Sequence, residues 1–143
     1  MKRVLKVFLV CIFVFILSGC GKKIEKISYA QFNEYFSNEE YDIIDNTNQY
    51  GLEVRRYLEA GNGKIQVFYI EFDNEKNADK YMNGIYASEK GSKTKVKKDY
   101  TYIKNTKIGY MKLYKVDNVL LIGSADEKKY KRQVNKVLRD LGY

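Results

Sequence analysis

The sequence predicts an α+β domain, a two-layer sandwich in which an antiparallel sheet carries its helices on one face. Two groups of three short apolar runs, rich in β-branched and aromatic residues, read as strands. Each group ends in a tight hairpin and is followed by a stretch with helical spacing behind capping residues, and a further capped helix stands at the front. The predicted order is α-β-β-β-α-β-β-β-α.

Ahead of the first helix, Lys2, Arg3 and Lys6 make a basic start, and Val7 to Leu17 is an apolar run of 11 residues without a polar side chain. That is the anatomy of a secretory signal. It is shorter than the roughly 18 residues a membrane-spanning helix needs. Leu17-Ser18-Gly19-Cys20 closes the run with an aliphatic residue, two small residues and a cysteine. This stretch resembles the lipobox of bacterial lipoproteins at all four positions. The resemblance implies that residues 1–19 are a signal peptide cleaved after Gly19, and that Cys20 carries a diacylglyceryl thioether. The mature chain is then lipid-anchored on the extracytoplasmic face of the cell membrane. Two acyl chains hold stably where one binds only marginally, at about 0.8 kcal/mol per buried methylene. Cys11 leaves with the signal and Cys20 is alkylated, so the mature chain keeps no thiol for a disulfide, a nucleophile or a metal. In general layout the chain also resembles small lipoproteins of Gram-positive bacteria.

Residues 20–27 form a lipidated tether, and residues 28–143 a single globular domain. A seven-residue tether from Gly21 to Ile27 reaches no more than roughly 25 Å, which keeps partners close to the membrane. Ser28-Tyr29-Ala30-Gln31 is a capping box, with Ile27 and Phe32 placed as a hydrophobic staple. The helix from Tyr29 to about Asn38 buries Phe32, Tyr35 and Phe36. Tyr41, Ile43 and Ile44 make a short strand, and Asp45 to Gly51 is a loop. Leu52 to Ala60 fits a strand and tolerates a helix. Gly61-Asn62-Gly63 is a turn, and Lys64 to Phe72 is a strand apolar enough to be central. Asp73 or Asn74 caps a second helix with Ala78, Tyr81, Met82 and Ile85 at helical spacing. Val96 to Ile103, Ile108 to Val116 and Val119 to Gly123 are three strands, the last two joined by a turn at Asp117-Asn118. Ser124-Ala125-Asp126-Glu127 is a second capping box, and Tyr130, Val134, Val137, Leu138 and Leu141 line one face of a helix that Gly142 stops.

Composition supports a folded domain: 45% of the residues are apolar, with 14 Tyr and 7 Phe. The net charge of +8 is unevenly spread. Residues 27–89 carry 5 basic and 12 acidic side chains, and residues 90–143 carry 15 basic and 5 acidic ones. One mature domain therefore has an acidic first half and a basic second half.

The absence of histidine removes imidazole general bases, Ser-His and Cys-His pairs and imidazole metal sites. Neither acidic stretch fits a calcium loop: the one opening at Asp45 has Arg56 at its twelfth position, and the one opening at Asp73 has Gly84 there. Ser92-Lys93-Thr94-Lys95 matches a Ser-x-x-Lys pattern without its companion motifs. No catalytic, metal-binding or cofactor-binding residue is assigned, and an enzyme is not the expected reading. The positive signal is Lys90 to Lys115, where nine lysines meet one acid, Asp99, with tyrosines interleaved. Lys93, Lys95, Lys97, Lys98, Tyr100, Tyr102, Lys104 and Lys107 form the expected anion-binding patch, charge acting first and stacking second. The bland counterpart is a solvated, lysine-guarded edge hairpin whose tyrosines serve β propensity. The expected function is a non-enzymatic binding or accessory module for an anionic envelope polymer or an envelope protein, with nucleic acid outside the expected partners. Two alternatives are a carboxylate-dependent envelope hydrolase and an inhibitor or immunity-type module that offers its acidic half to a basic protein.

Overall fold

A computed structural model of the chain describes residues 24–51, 53–88, 92–96, 99–105 and 109–143. Among them are three helices, α1 (Tyr29–Ser37), α2 (Glu75–Ser88) and α3 (Lys131–Asp140). Seven strands accompany them: β1 (Asp42–Asp45), β2 (Val54–Gly61), β3 (Gln66–Phe72), β4 (Ser92–Val96), β5 (Asp99–Asn105), β6 (Tyr110–Val116) and β7 (Val119–Ala125). They make one antiparallel sheet in the order β1-β2-β3-β7-β6-β5-β4. One meander of three strands and one of four are linked through α2 and meet where β3 pairs with β7. The architecture is α+β with an antiparallel sheet, as the sequence predicts.

Local chemistry sets most boundaries. Ser28 and Gln31 close the predicted capping box: the Gln31 N–H donates to Ser28 Oγ at 3.2 Å, and the Ser28 N–H to Gln31 Oε1 at 2.8 Å. Ile27 and Phe32, the staple pair, are both buried in one cluster. Asn62 Oδ1 accepts from the Lys64 and Ile65 amides at 3.1 Å each, and Gly63 takes the positive φ of 73° that closes the β2–β3 turn. Asn74 caps α2 by accepting the Asn77 N–H at 3.0 Å. Gly142, with φ of 97°, ends α3 in a Schellman arrangement: its N–H donates to Arg139 O, and the Tyr143 N–H to Leu138 O. Of the stretch that fits either strand or helix, Val54 onward is strand, forming β2, and Leu52 lies outside the described residues.

Three expectations change. The helices do not share one face. Leu58, Val67, Tyr69, Tyr114 and Leu121 build a face covered by Phe32 and Phe36 of α1 and by Val134, Val137 and Leu138 of α3. Tyr57, Ile70, Leu113, Leu120 and Ile122 build the opposite face, covered by Ala78 and Met82 of α2. The reason lies in β3 and β7, which are apolar on both faces and therefore need cover on both. Each fully buried large side chain there contributes about 1.5–3 kcal/mol. Second, Val96 to Ile103 is not one strand but parts of two, β4 and β5, so the observed order is α-β-β-β-α-β-β-β-β-α. As an edge strand β4 needs no apolar pattern, and Val96 is its only apolar residue. Third, Ser124-Ala125-Asp126-Glu127 is not a capping box. Ser124 stays in the β7 ladder, opposite Gln66 on one side and Met111 on the other, and a 3-10 turn over Lys128–Tyr130 precedes α3. Two sheet neighbours hold that backbone more firmly than one cap would.

Helix α3 lies close against β7. A Cβ at Gly123 would stand 2.7 Å from Val134 Cγ1 and 3.0 Å from Leu138 Cδ1. Gly123 is thus a contact position between helix and strand. Among the described residues no helix is long and apolar enough to cross a membrane.

Candidate functional site

The β4–β5 hairpin carries the basic stretch, and its register sorts the expected patch. Lys93 pairs with Tyr102 and Lys95 with Tyr100, while across the next ladder Tyr100, Tyr102 and Lys104 stand opposite Lys115, Leu113 and Met111. Cross-strand partners share a face, and Leu113 belongs to the face that α2 covers. Positions 93, 95, 100, 102 and 104 therefore fall together on the α2 face, at the β4 edge of the sheet. Thr94, Thr101, Ile103 and Lys112 occupy the other face. Lys97, Lys98 and Lys107 lie outside the described residues, as do Gly19 and Cys20.

Two further lysines of the run, outside the expected patch, have partners of their own. Lys112 stands on the α1/α3 face with Nζ 4.8 Å from the centre of the Tyr114 ring, a cation–π contact. Lys115 is wholly buried, at 0% exposure, and its Nζ lies 3.1 Å from Glu75 Oε1 and 3.1 Å from Asp79 Oδ1. Glu75 and Asp79 sit one turn apart near the start of α2, so both carboxylates reach the same ammonium group. Among the described residues it is the one buried charged side chain. This triad was absent from the expected sites. Its signal is nonetheless in the chain: Met111, Leu113 and Lys115 alternate on one strand face, and Glu75 and Asp79 are four apart.

The acidic stretches have local work. Asp45 Oδ1 accepts the Thr47 N–H at 2.9 Å, and its hydrogen bonds to Thr47 hold its carboxyl below the usual range. Asp73 pairs with Arg55 at 2.9 Å. Residues 25–27, the outer face of α1 and the end of α3 enclose an open groove of about 740 Å³, bordered by Glu25, Glu34, Tyr35, Glu39 and Asp140. Lys136, 2.8 Å from Asp140, draws that carboxyl down, while burial and then the Asp140 charge push the Tyr35 hydroxyl up to about 12. A general acid needs a raised carboxyl, the opposite of the direction at Asp45 and Asp140.

No family model, curated protein or solved structure matches this chain.

Proposed function

We propose that the chain is an extracytoplasmic lipoprotein, anchored through Cys20 after cleavage behind Gly19, and that it serves without catalysis as a binding module for an anionic envelope polymer. The supporting observation is the register of β4 and β5, which puts three lysine and two tyrosine positions on one face. Spacing of two residues along each strand repeats charge beside aromatic, the pairing a flexible polyanion needs. Helix α2 borders this face through the Lys115 triad, because Tyr100 is the register neighbour of Lys115.

Anchoring constrains where such a polymer is met. Ile24 packs against the core, and Ile27 is buried with its N–H donated to Tyr143 Oη at 2.9 Å. Lys26 Nζ lies 3.3 Å from Asn118 Oδ1 in the β6–β7 turn. Residues 24–27 thus belong to the domain, and the remaining reach back to Cys20 is four residues, roughly 14 Å at most.

Two measurements test the reading. Radiolabelled palmitate is expected to enter the wild type and to be lost in Cys20→Ala; an unlabelled wild type overturns the anchor. Purified teichoic-type polymer is expected to bind the protein at low salt and to bind roughly twenty- to fortyfold more weakly when salt rises fourfold, from counterion release at about three contacts. Lys93→Glu with Lys95→Glu is expected to abolish that binding. Affinity that ignores salt, or that survives this pair, overturns the electrostatic site.

A further inference from the structure

The sheet ends in two open edges of opposite charge. Among the described residues no strand pairs the outer side of β1 or of β4. Strand β1, Asp42-Ile43-Ile44-Asp45, has an acid at each end, and strand β4, Ser92-Lys93-Thr94-Lys95-Val96, carries two lysines. They lie at opposite ends of seven strands, so the acidic and basic halves of the sequence become the two ends of one sheet. We propose that copies of this chain associate head to tail, β1 of one protomer pairing with β4 of the next.

Charge on an edge strand ordinarily guards against pairing. Here the guard is selective. Lysine edges repel one another and aspartate edges repel one another, whereas β1 against β4 brings Asp42, which shares the α2 face with Lys93 and Lys95, across a new ladder from them. The lengths also match, four residues against five.

Apolar exposure supplies an independent observation. Ile44, 52% exposed, is the most exposed large hydrophobic residue among those described, and it sits in the edge strand itself. Tyr50 and Tyr81 are the other two. Tyr50 packs edge-on against Tyr57, and Tyr81 lies on Phe72, both on the face that α2 covers. Ile44 belongs to that face as well, since it pairs with Glu59, which pairs with Phe68. A second copy paired to β1 continues the sheet beside Ile44 and removes it from water. Such a contact joins two different edges, so it propagates instead of closing on a two-fold axis.

Sedimentation of the full mature protein in nonionic detergent, with no polymer present, tests this without reference to polymer binding. Species beyond the dimer are expected at low salt, giving way to monomer as salt screens the edges. Lys93→Glu with Lys95→Glu, and separately Asp42→Lys with Asp45→Lys, should each weaken association by about tenfold or more, like charges then facing each other. Mixing these two variants restores complementary edges and should restore the assemblies, which also shows that both have folded. A monomeric wild type, a closed dimer, or a mixture that stays monomeric overturns the proposal. Asp42→Lys with Asp45→Lys leaves every proposed polymer-binding position intact, so loss of assembly and loss of polymer binding are read separately.

Discussion

Replacing Lys115 by alanine is expected to cost about 2–4 kcal/mol of unfolding free energy, while Lys115→Met costs about 1 kcal/mol or less. The two differ because the long stem of Lys115 fills the space between β6 and the first turns of α2, and its side chain has no exposed surface. Alanine leaves a cavity there; methionine fills it. Removing one partner of a buried ion pair is ordinarily severe because the other charge is stranded. Here the Glu75 and Asp79 side chains are each 44% exposed, so both carboxylates recover water once the ammonium is gone. Lys115→Glu faces two carboxylates from a dry site and is expected to unfold a domain whose total stability is about 5–15 kcal/mol. Urea midpoints for the three variants decide the matter. A methionine variant as unstable as the alanine one shows that charge, and not the stem, holds α2 in place.

Gly123→Ala is expected to destabilise by about 1–3 kcal/mol, and Gly123→Val by more. The added Cβ meets Val134 Cγ1 at 2.7 Å and Leu138 Cδ1 at 3.0 Å. Leucine swings its terminal methyl aside, but valine is branched at Cβ and has few helical rotamers. The helix must then lift from β7, loosening Val134, Val137 and Leu138 together. Pairing Gly123→Ala with Val134→Ala removes the closest of these contacts, so the double variant should be more stable than the sum of the two single losses predicts. Thermal melts arranged as a double-mutant cycle read this coupling; strict additivity removes Gly123 as the position that sets the spacing.

Those two residues also mark where sequence reading stops. Gly123 reads as the end of a strand, since nothing local announces a helix returning 11 residues later to sit on it. Lys115 reads as one more lysine in a lysine-rich run despite its alternation with Met111 and Leu113, because its partners Glu75 and Asp79 are met only in the tertiary structure. The legible features are those decided within a few residues: the Ser28–Gln31 box, the Asn62 turn and the Gly142 stop. Strand β3 was legible as central from its apolar run, and the same run held the cue that both faces need cover. Strand β4 was hidden because an edge strand hydrogen-bonds on one side and needs no buried face. For the candidate site, sequence supplied the lysines and tyrosines, but strand register was needed to divide Lys93, Lys95 and Lys104 from Lys112, and burial beneath α2 to set Lys115 apart.

The hydrogen bond from Ile27 to Tyr143 and the contact of Lys26 with Asn118 have a mechanical consequence. A pull on the chain upstream of Ile24 enters the domain at residues 24–27, before the first turn of α1. There it divides between the segment just beyond α3 and the turn joining the two interior strands β6 and β7. Unzipping of α1, with Phe32 and Phe36 drawn from the core, begins only after both side-chain latches have sheared. Under tension the first bonds to yield are therefore these reversible latches, ahead of the core contacts of α1.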